Sequence, residues 1–214
     1  MEEKQIRKWL RRRFSPVGWT MVGYYLILNV LVMIAMVSDT ARQMLEGLAA
    51  GDLYGRLDES ALMNNGWGYL AAVGVGLTIL YGWKGPDYFR DVLAKKQRPM
   101  TAYTLISLIF LCMGAQLLNG LWITGLEWGM NQFGRSALEL LDSVSGYSDS
   151  FSLFLYASVL GPVSEELLFR GYALRTLEPF GRKFAIFGSA LLFGLFHGNL
   201  LQAPYAFLVG LVLG

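Results

Sequence analysis

The sequence is poor in cysteine, histidine and charged residues. Among its 214 residues there are one cysteine and one histidine, and 16% of the residues are charged, compared with about 25% in an ordinary soluble domain. A single cysteine excludes a disulfide scaffold. A net charge of +2 excludes a nucleic-acid binder of the basic-patch kind, and a hydrophobic content of 54% excludes a disordered chain. The positions from which charges are missing therefore decide the class of protein.

Long uncharged runs divide the sequence. No Asp, Glu, Lys or Arg occurs in residues 14–38, 60–83, 99–126, 150–164 and 184–214. A helix needs about 20 apolar residues to cross a bilayer, whose lipid offers backbone N–H and C=O groups no partners. If the last run is divided near His197, the sequence predicts an all-α fold, a polytopic transmembrane helix bundle with about six spans, the last of them incomplete.

The distribution of Lys and Arg predicts the orientation of these spans. With a cytoplasmic N-terminus and one crossing per run, all 18 cations except Arg42, Arg56 and Arg135 lie on the cytoplasmic side. Such an excess is the positive-inside signal. We expect an integral membrane protein with its N-terminus in the cytoplasm and the lipid bilayer as its surroundings.

Three regions follow from this arrangement. Residues 1–13 form a basic cytoplasmic tail, and residues 14–149 form three transmembrane helices with loops, including an interfacial helix over residues 134–148. Residues 150–214 carry the remaining membrane segments and the polar residues described next. The run after Pro204 is too short to span a bilayer, so we expect the natural chain to continue beyond residue 214.

Two adjacent carboxylates interrupt the membrane segments. An acidic residue at the centre of a membrane helix costs about 2.5 to 3.5 kcal/mol, so both Glu165 and Glu166 need a partner. Glu166 and Arg170 are four residues apart and can pair along one helix face. Around a turn centred on Gly181, Glu165 and His197 are equally distant in sequence, so an antiparallel hairpin brings them to equal height.

The neighbouring residues are typical of a cavity with hydrolytic chemistry. Pro162 predicts a kink before Glu165, Phe193 shares a helix face with His197, and Asn199 adds an amide group. A poorly solvated carboxylate is a stronger base. Glu165 can then take a proton from a water molecule that His197 orients, and the hydroxide can attack a peptide carbonyl.

Other interpretations of the same residues stay open at this point. Membrane carboxylates also occur in the proton or cation paths of transporters and in structural salt bridges between helices. A non-catalytic scaffold is a further alternative. The sequence requires no cofactor, although a divalent metal such as zinc could be held by Glu165 and His197, with Glu166 as the third ligand at most. On spacing alone, hydrolysis and transport are equally favoured.

The C-terminal motifs resemble those of the CPBP family, the CAAX-protease and bacteriocin-processing intramembrane proteases. The resemblance covers residues 151–214 and rests on three patterns: Glu165-Glu166-x-x-x-Arg170, Phe193-x-x-x-His197 and Phe207-x-x-Gly210-x-x-x-Gly214. The two glycines of the third pattern also permit close helix packing.

The resemblance implies an intramembrane endopeptidase that acts on membrane-associated peptides or proteins. In this family the residue at Glu165 is taken as the general base and the one at His197 helps to activate water, while Glu166 and Arg170 shape the site. Family substrates include prenylated CAAX proteins, and bacterial members imply a location in the bacterial cytoplasmic membrane. A further family motif, His-x-x-x-Asn or His-x-x-x-Asp, is absent from residues 1–214, and we expect it in the continuation of the chain.

Overall fold

The computed structural model of the protein describes residues 3–51, 66–85, 87, 90, 101–139 and 150–214. Within these residues all regular structure is helical, which confirms the predicted all-α class. We number the helices in chain order: α1 Glu3–Ala49, α2 Gly66–Lys84, α3 Ala102–Asn131, α4 Phe151–Phe180, α5 Arg182–Phe196 and α6 Ala203–Leu213.

Three of these helices, α1, α3 and α4, are long and apolar enough to cross a membrane. Helix α3 exposes a large apolar surface that water would solvate poorly. Its buried residues are Ala115 and Asn119, while side chains such as Leu117 and Leu121 are more than 70% exposed. A helix that is apolar on all sides and packs little against its own protein is typical of a membrane span. Helices α2, α5 and α6 lie in the sequence where the other spans were predicted. That these three helices cross the membrane stays a prediction.

Local sequence explains where the long helices begin. Thr101 precedes α3 and its hydroxyl accepts a hydrogen bond from the Thr104 N–H at 3.1 Å. Ser150 precedes α4 and accepts in the same way from the Leu153 N–H at 3.1 Å. Both are N-caps that satisfy one of the unpaired donors of the first helical turn.

Helix α4 changes its winding along its length. It is π-helical over Tyr156–Leu160 and again over Glu166–Leu174, with an α-helical segment Gly161–Glu165 between them. Wide π turns inside helices are rare and are frequent at functional sites. Wide turns lie on both sides of the segment that contains Pro162, and the kink predicted from this proline stays a prediction.

The turn between α4 and α5 lies where the sequence placed it. A 3-10 turn covers Glu178–Phe180, and Gly181 follows with φ of 118°, a conformation that favours glycine. The N–H of Gly181 donates to the Glu178 carbonyl at 3.0 Å. The predicted hairpin turn is therefore confirmed.

The interfacial helix predicted over residues 134–148 is helical at residues 137–139, and its later part lies outside the described residues. The carboxylate of Glu127 accepts the N–H groups of Ala137 at 2.6 Å and Leu138 at 3.0 Å. It also accepts the Ser136 hydroxyl at 3.1 Å. Glu127 thus caps the start of this helix from the end of α3.

The chain divides into two compact units. Unit 1 comprises Met1–Met21, Asp91–Ser143 and Glu166–Gly214, and unit 2 comprises Val22–Arg90 and Val144–Glu165.

Unit 1 is held together by phenyl rings and by small residues. The ring of Phe169 is fully buried and lies 4.9 Å from that of Phe193 and 5.3 Å from that of Phe196, measured between centroids. Helices α5 and α6 approach closely, because a Cβ at Gly210 would lie 2.8 Å from the Ala190 Cα. The close packing predicted for this glycine is confirmed.

Unit 2 packs through glycines of α2. Gly66 lies against the backbone of Leu153, and its N–H donates to the buried Ser152 hydroxyl at 3.1 Å. A Cβ at Gly76 would lie 2.6 Å from the ring of Tyr24. Small residues at such positions let membrane helices approach each other.

Candidate active site

The predicted ion pair of Glu166 and Arg170 is present in unit 1. Nη1 of Arg170 lies 3.2 Å from Oε1 of Glu166, and the arginine side chain is 12% exposed while the glutamate side chain is 50% exposed. Both residues belong to the π-helical stretch Glu166–Leu174. The pair places a mostly buried cation against a carboxylate that reaches the surface.

Phe193 connects this pair to His197. The guanidinium carbon of Arg170 lies 4.6 Å from the centroid of the Phe193 ring, a cation–π distance. The ring of His197 meets the same phenyl ring edge-on, with centroids 5.0 Å apart and planes at 81°. The structure therefore brings Arg170, Phe193 and His197 together, and the role of Phe193 as a wall of the site stays a prediction.

The hydrogen bond of His197 defines which ring nitrogen carries the proton. Nδ1 lies 2.9 Å from the carbonyl oxygen of Phe193. A carbonyl can only accept, so Nδ1 must hold the hydrogen and donate it. In the neutral ring Nε2 then has the lone pair and can accept a hydrogen bond from water.

The π-helical stretch is supported from α5. The buried hydroxyl of Ser189 donates to the carbonyl oxygen of Phe169 at 2.9 Å. A π turn displaces backbone hydrogen bonds from the α-helical pattern, and a buried carbonyl needs a partner. Ser189 therefore helps to hold α4 in its widened form beside Arg170.

Asn199 organises the loop that carries His197. Its Nδ2 donates to the His197 carbonyl at 2.9 Å, and its Oδ1 accepts the N–H groups of Leu201 at 3.1 Å and Gln202 at 2.8 Å. This is an Asx-type turn that leads into α6. Asn199 thus fixes the backbone that follows the histidine.

Helix α3 also contacts this loop. The indole Nε1 of Trp122 donates to the carbonyl oxygen of Leu200 at 2.8 Å. The contact links α3 to the segment between α5 and α6, all within unit 1.

Glu165 belongs to unit 2 and has tyrosines around it. The side chains of Tyr24 and Tyr156 both interact electrostatically with Glu165. The ring of Tyr156 packs on that of Tyr69 with centroids 4.9 Å apart. The surroundings of Glu165 are therefore phenolic, in contrast to the cationic partner of Glu166.

Sequence reasoning missed these tyrosines and Ser189. The chain has 11 tyrosines, and no motif separates Tyr24 and Tyr156 from the rest. Tyr24 approaches Glu165 from another helix, and Tyr156 lies nine residues before Glu165 on α4, which is not a helical spacing that marks neighbours. Ser189 carries no signal either, since a serine in an apolar helix is common. The equal height of Glu165 and His197 stays a prediction.

The predicted metal ligands do not form a complete set in the described part of the chain. No group of three or more His, Cys, Asp or Glu side chains that could hold a metal ion occurs there. Structural and catalytic zinc sites use at least three protein ligands.

The fold and the apolar helices define the chain as an α-helical integral membrane protein. Residues 147–214 match the family model described as type II CAAX prenyl endopeptidase Rce1-like. The match confirms the family resemblance of the C-terminal motifs, and this family is a protease family. None of the curated proteins and none of the solved structures compared with the chain matches it.

Proposed function

We propose that the protein is an intramembrane endopeptidase that hydrolyses a peptide bond of a membrane-associated substrate with a water molecule activated by Glu165. The observation that carries this proposal is the family match over residues 147–214, which include Glu165 and His197. The hydrogen-bonded state of His197 supports it, because its Nε2 lone pair suits a group that orients water.

The proposed reaction is a general acid–base hydrolysis. Glu165 accepts a proton from water, the oxygen attacks the carbonyl carbon of the scissile bond, and a tetrahedral intermediate forms. The carboxylic acid of Glu165 then gives the proton to the leaving amine, and the peptide bond breaks. No covalent bond forms between the enzyme and the substrate, and Glu165 returns to its carboxylate form.

The two carboxylates have separate roles in this proposal. Glu166 is engaged with Arg170 at 3.2 Å, so the pair shapes the wall of the site and does not act on the substrate. Glu165 has hydroxyl groups as neighbours, from Tyr24 and Tyr156. A phenol can donate a hydrogen bond to a carboxylate, which holds the carboxylate in one orientation.

The substrate in this proposal is a protein or peptide segment at the membrane, with a prenylated C-terminal CAAX segment as the first candidate. The family description names a prenyl endopeptidase, and a lipid-modified chain end is delivered to the bilayer by its own anchor. A cytoplasmic N-terminus and a bacterial cytoplasmic membrane remain part of the proposal.

Cleavage of a prenylated CAAX peptide by the full-length protein in lipid vesicles tests the role of Glu165. We expect Glu165→Gln to lower kcat/KM by about 10²- to 10⁴-fold, the usual contribution of a general base. The matched control is Glu139→Gln, which removes an exposed carboxylate outside the site. Undiminished cleavage by Glu165→Gln would contradict the proposal and favour a non-catalytic scaffold of the same fold.

Two replacements of His197 test which ring nitrogen is used. The amide of Gln reaches about as far as Nε2, and that of Asn about as far as Nδ1. Because Nδ1 is committed to the Phe193 carbonyl, we expect His197→Gln to retain more cleavage than His197→Asn. The reverse order would assign the chemistry to the other nitrogen.

A further inference from the structure

The first three turns of α1 carry a cationic face. Lys4, Arg7, Lys8, Arg11, Arg12 and Ser15 line one groove on this helix, and all six are exposed. Their spacing of three and four residues keeps them on one side at about 100° per residue. Glu3 pairs with Arg7 at 2.6 Å, so in the described part of these turns one carboxylate accompanies five cations.

The opposite face of the same turns packs against the protein. The ring of Phe180 lies 5.0 Å from that of Trp9 and 4.6 Å from that of Phe14, and Phe14 also meets Phe184 at 5.9 Å. Val17 continues this face and is buried. These contacts, all within unit 1, hold the helix so that its cationic side points away from the fold.

The position along α1 places this face at the level of lipid headgroups. The helix is 47 residues long, about 70 Å, and exceeds the bilayer core of about 30 Å. Its uncharged run begins at residue 14, directly after the cations. Trp9 is 46% exposed, and tryptophan is enriched at the membrane interface.

We propose that the cationic face of residues 4–15 binds the phosphate headgroups of anionic phospholipids, beside the turn that joins α4 and α5. Clusters of four to eight Lys or Arg next to a membrane helix attract anionic lipids, by about 1 kcal/mol for each cation near the surface. The aromatic contacts also fix the orientation of α1, so that its cations stay on the side that faces away from the protein. The inference goes beyond the proposed function, because it concerns lipid binding and holds whether or not the protein cleaves peptides.

Native mass spectrometry of the full-length protein in detergent tests the proposal directly. Phosphatidylglycerol and phosphatidylcholine with the same acyl chains are titrated separately, and bound lipid is counted. We expect wild type to prefer phosphatidylglycerol. We expect Lys8→Gln combined with Arg12→Gln to weaken phosphatidylglycerol binding about 30-fold, the loss for two cations, with phosphatidylcholine binding unchanged.

Two further double variants complete the experiment. Arg42→Gln with Arg135→Gln removes two exposed cations from other places in the chain and should keep the preference. Lys8→Arg with Arg12→Lys keeps both charges and should also keep it, which separates loss of charge from loss of fold. Equal affinity of wild type for the two lipids, an unchanged preference in Lys8→Gln/Arg12→Gln, or an equal loss in the Arg42/Arg135 variant would overturn the proposal.

Discussion

Glu165 and Glu166 are adjacent in the chain, yet the structure gives them different surroundings. Glu166 faces the cation of Arg170 and a wall of phenyl rings in unit 1. Glu165 has the hydroxyl groups of Tyr24 and Tyr156 near it in unit 2. A cation fixes a negative charge and stabilises it as a structural pair, whereas neutral hydroxyl groups orient a carboxylate and leave it able to take up a proton. In the proposed function, this difference separates a glutamate held in an ion pair from the glutamate that takes up a proton.

The largest expected change in stability distinguishes Glu166 from Glu165. Glu166→Gln leaves the mostly buried Arg170 cation without its carboxylate, and we expect a loss of about 2 kcal/mol in the free energy of unfolding, less than for a fully buried pair because Glu166 is half exposed. Thermal unfolding in detergent measures it. Glu3→Gln, which removes the carboxylate of the exposed Arg7 pair, is the matched control and should cost less than about 1 kcal/mol.

Thermal unfolding of the Glu165→Gln variant extends the comparison of the two glutamates. With hydroxyl groups around it, a neutral amide at this position removes a charge and keeps a hydrogen-bonding group, so stability should change little. A loss as large as that of Glu166→Gln would show that both carboxylates are structural.

Gly76→Ala tests the packing that positions Tyr24. The added methyl group would lie 2.6 Å from the Tyr24 ring, so the ring must move, and we expect a loss of about 1 to 2 kcal/mol in stability together with lower cleavage. Gly74→Ala lies in the same helix and meets nothing within 4 Å. It should leave both properties unchanged or raise stability slightly. Equal effects of the two variants would contradict the assigned role of Gly76.

Tyr156→Phe removes one hydroxyl group near Glu165 and keeps the ring that packs on Tyr69. We expect the loss of the electrostatic interaction between this phenol and Glu165 to lower kcat/KM for the prenylated peptide about fivefold to tenfold, or about 1 to 1.4 kcal/mol, with little change in the unfolding temperature. Tyr205→Phe, on α6, is the control. If Tyr156→Phe lowers stability and not activity, the phenol belongs to the fold alone.

The smallest expected effect concerns the loop that carries His197. Trp122→Phe removes the hydrogen bond to the Leu200 carbonyl and should cost about 0.5 to 1.5 kcal/mol of stability. Trp128→Phe, an exposed tryptophan on the same helix, should cost less. No difference between them would show that the Trp122 contact does not contribute.

Much of the fold could be predicted from where charges are absent. Uncharged runs indicated the long helices because lipid permits few charged groups, and Glu178 to Gly181 indicated the turn because proline and glycine interrupt helices. Spacing also indicated the Glu166–Arg170 pair and the approach of Phe193 to His197, since residues four apart share a helix face. These features depend on local geometry alone.

The features of the fold and of the site that could not be predicted depend mainly on contacts between segments that are distant in sequence. The hydrogen bond of Ser189 to Phe169 and the interaction of Tyr24 with Glu165 join residues on different helices, and one sequence holds no record of such pairs. Asn199 was predicted as an amide near the site, which stays a prediction, and its partners are backbone groups and the Gln202 side chain of its own loop. The sequence shows which chemistry a residue type can perform, whereas the folded structure is needed to identify the residues that it contacts.

The loop between α5 and α6 has a consequence for where His197 can work. Four of its backbone groups are paired by side chains of the protein: the carbonyl of His197 with Asn199, the N–H groups of Leu201 and Gln202 with Asn199, and the carbonyl of Leu200 with Trp122. Non-helical backbone is tolerated at membrane depth only where its polar groups have partners. These pairings meet, for the groups named, the condition under which a break between two helices can lie beside lipid.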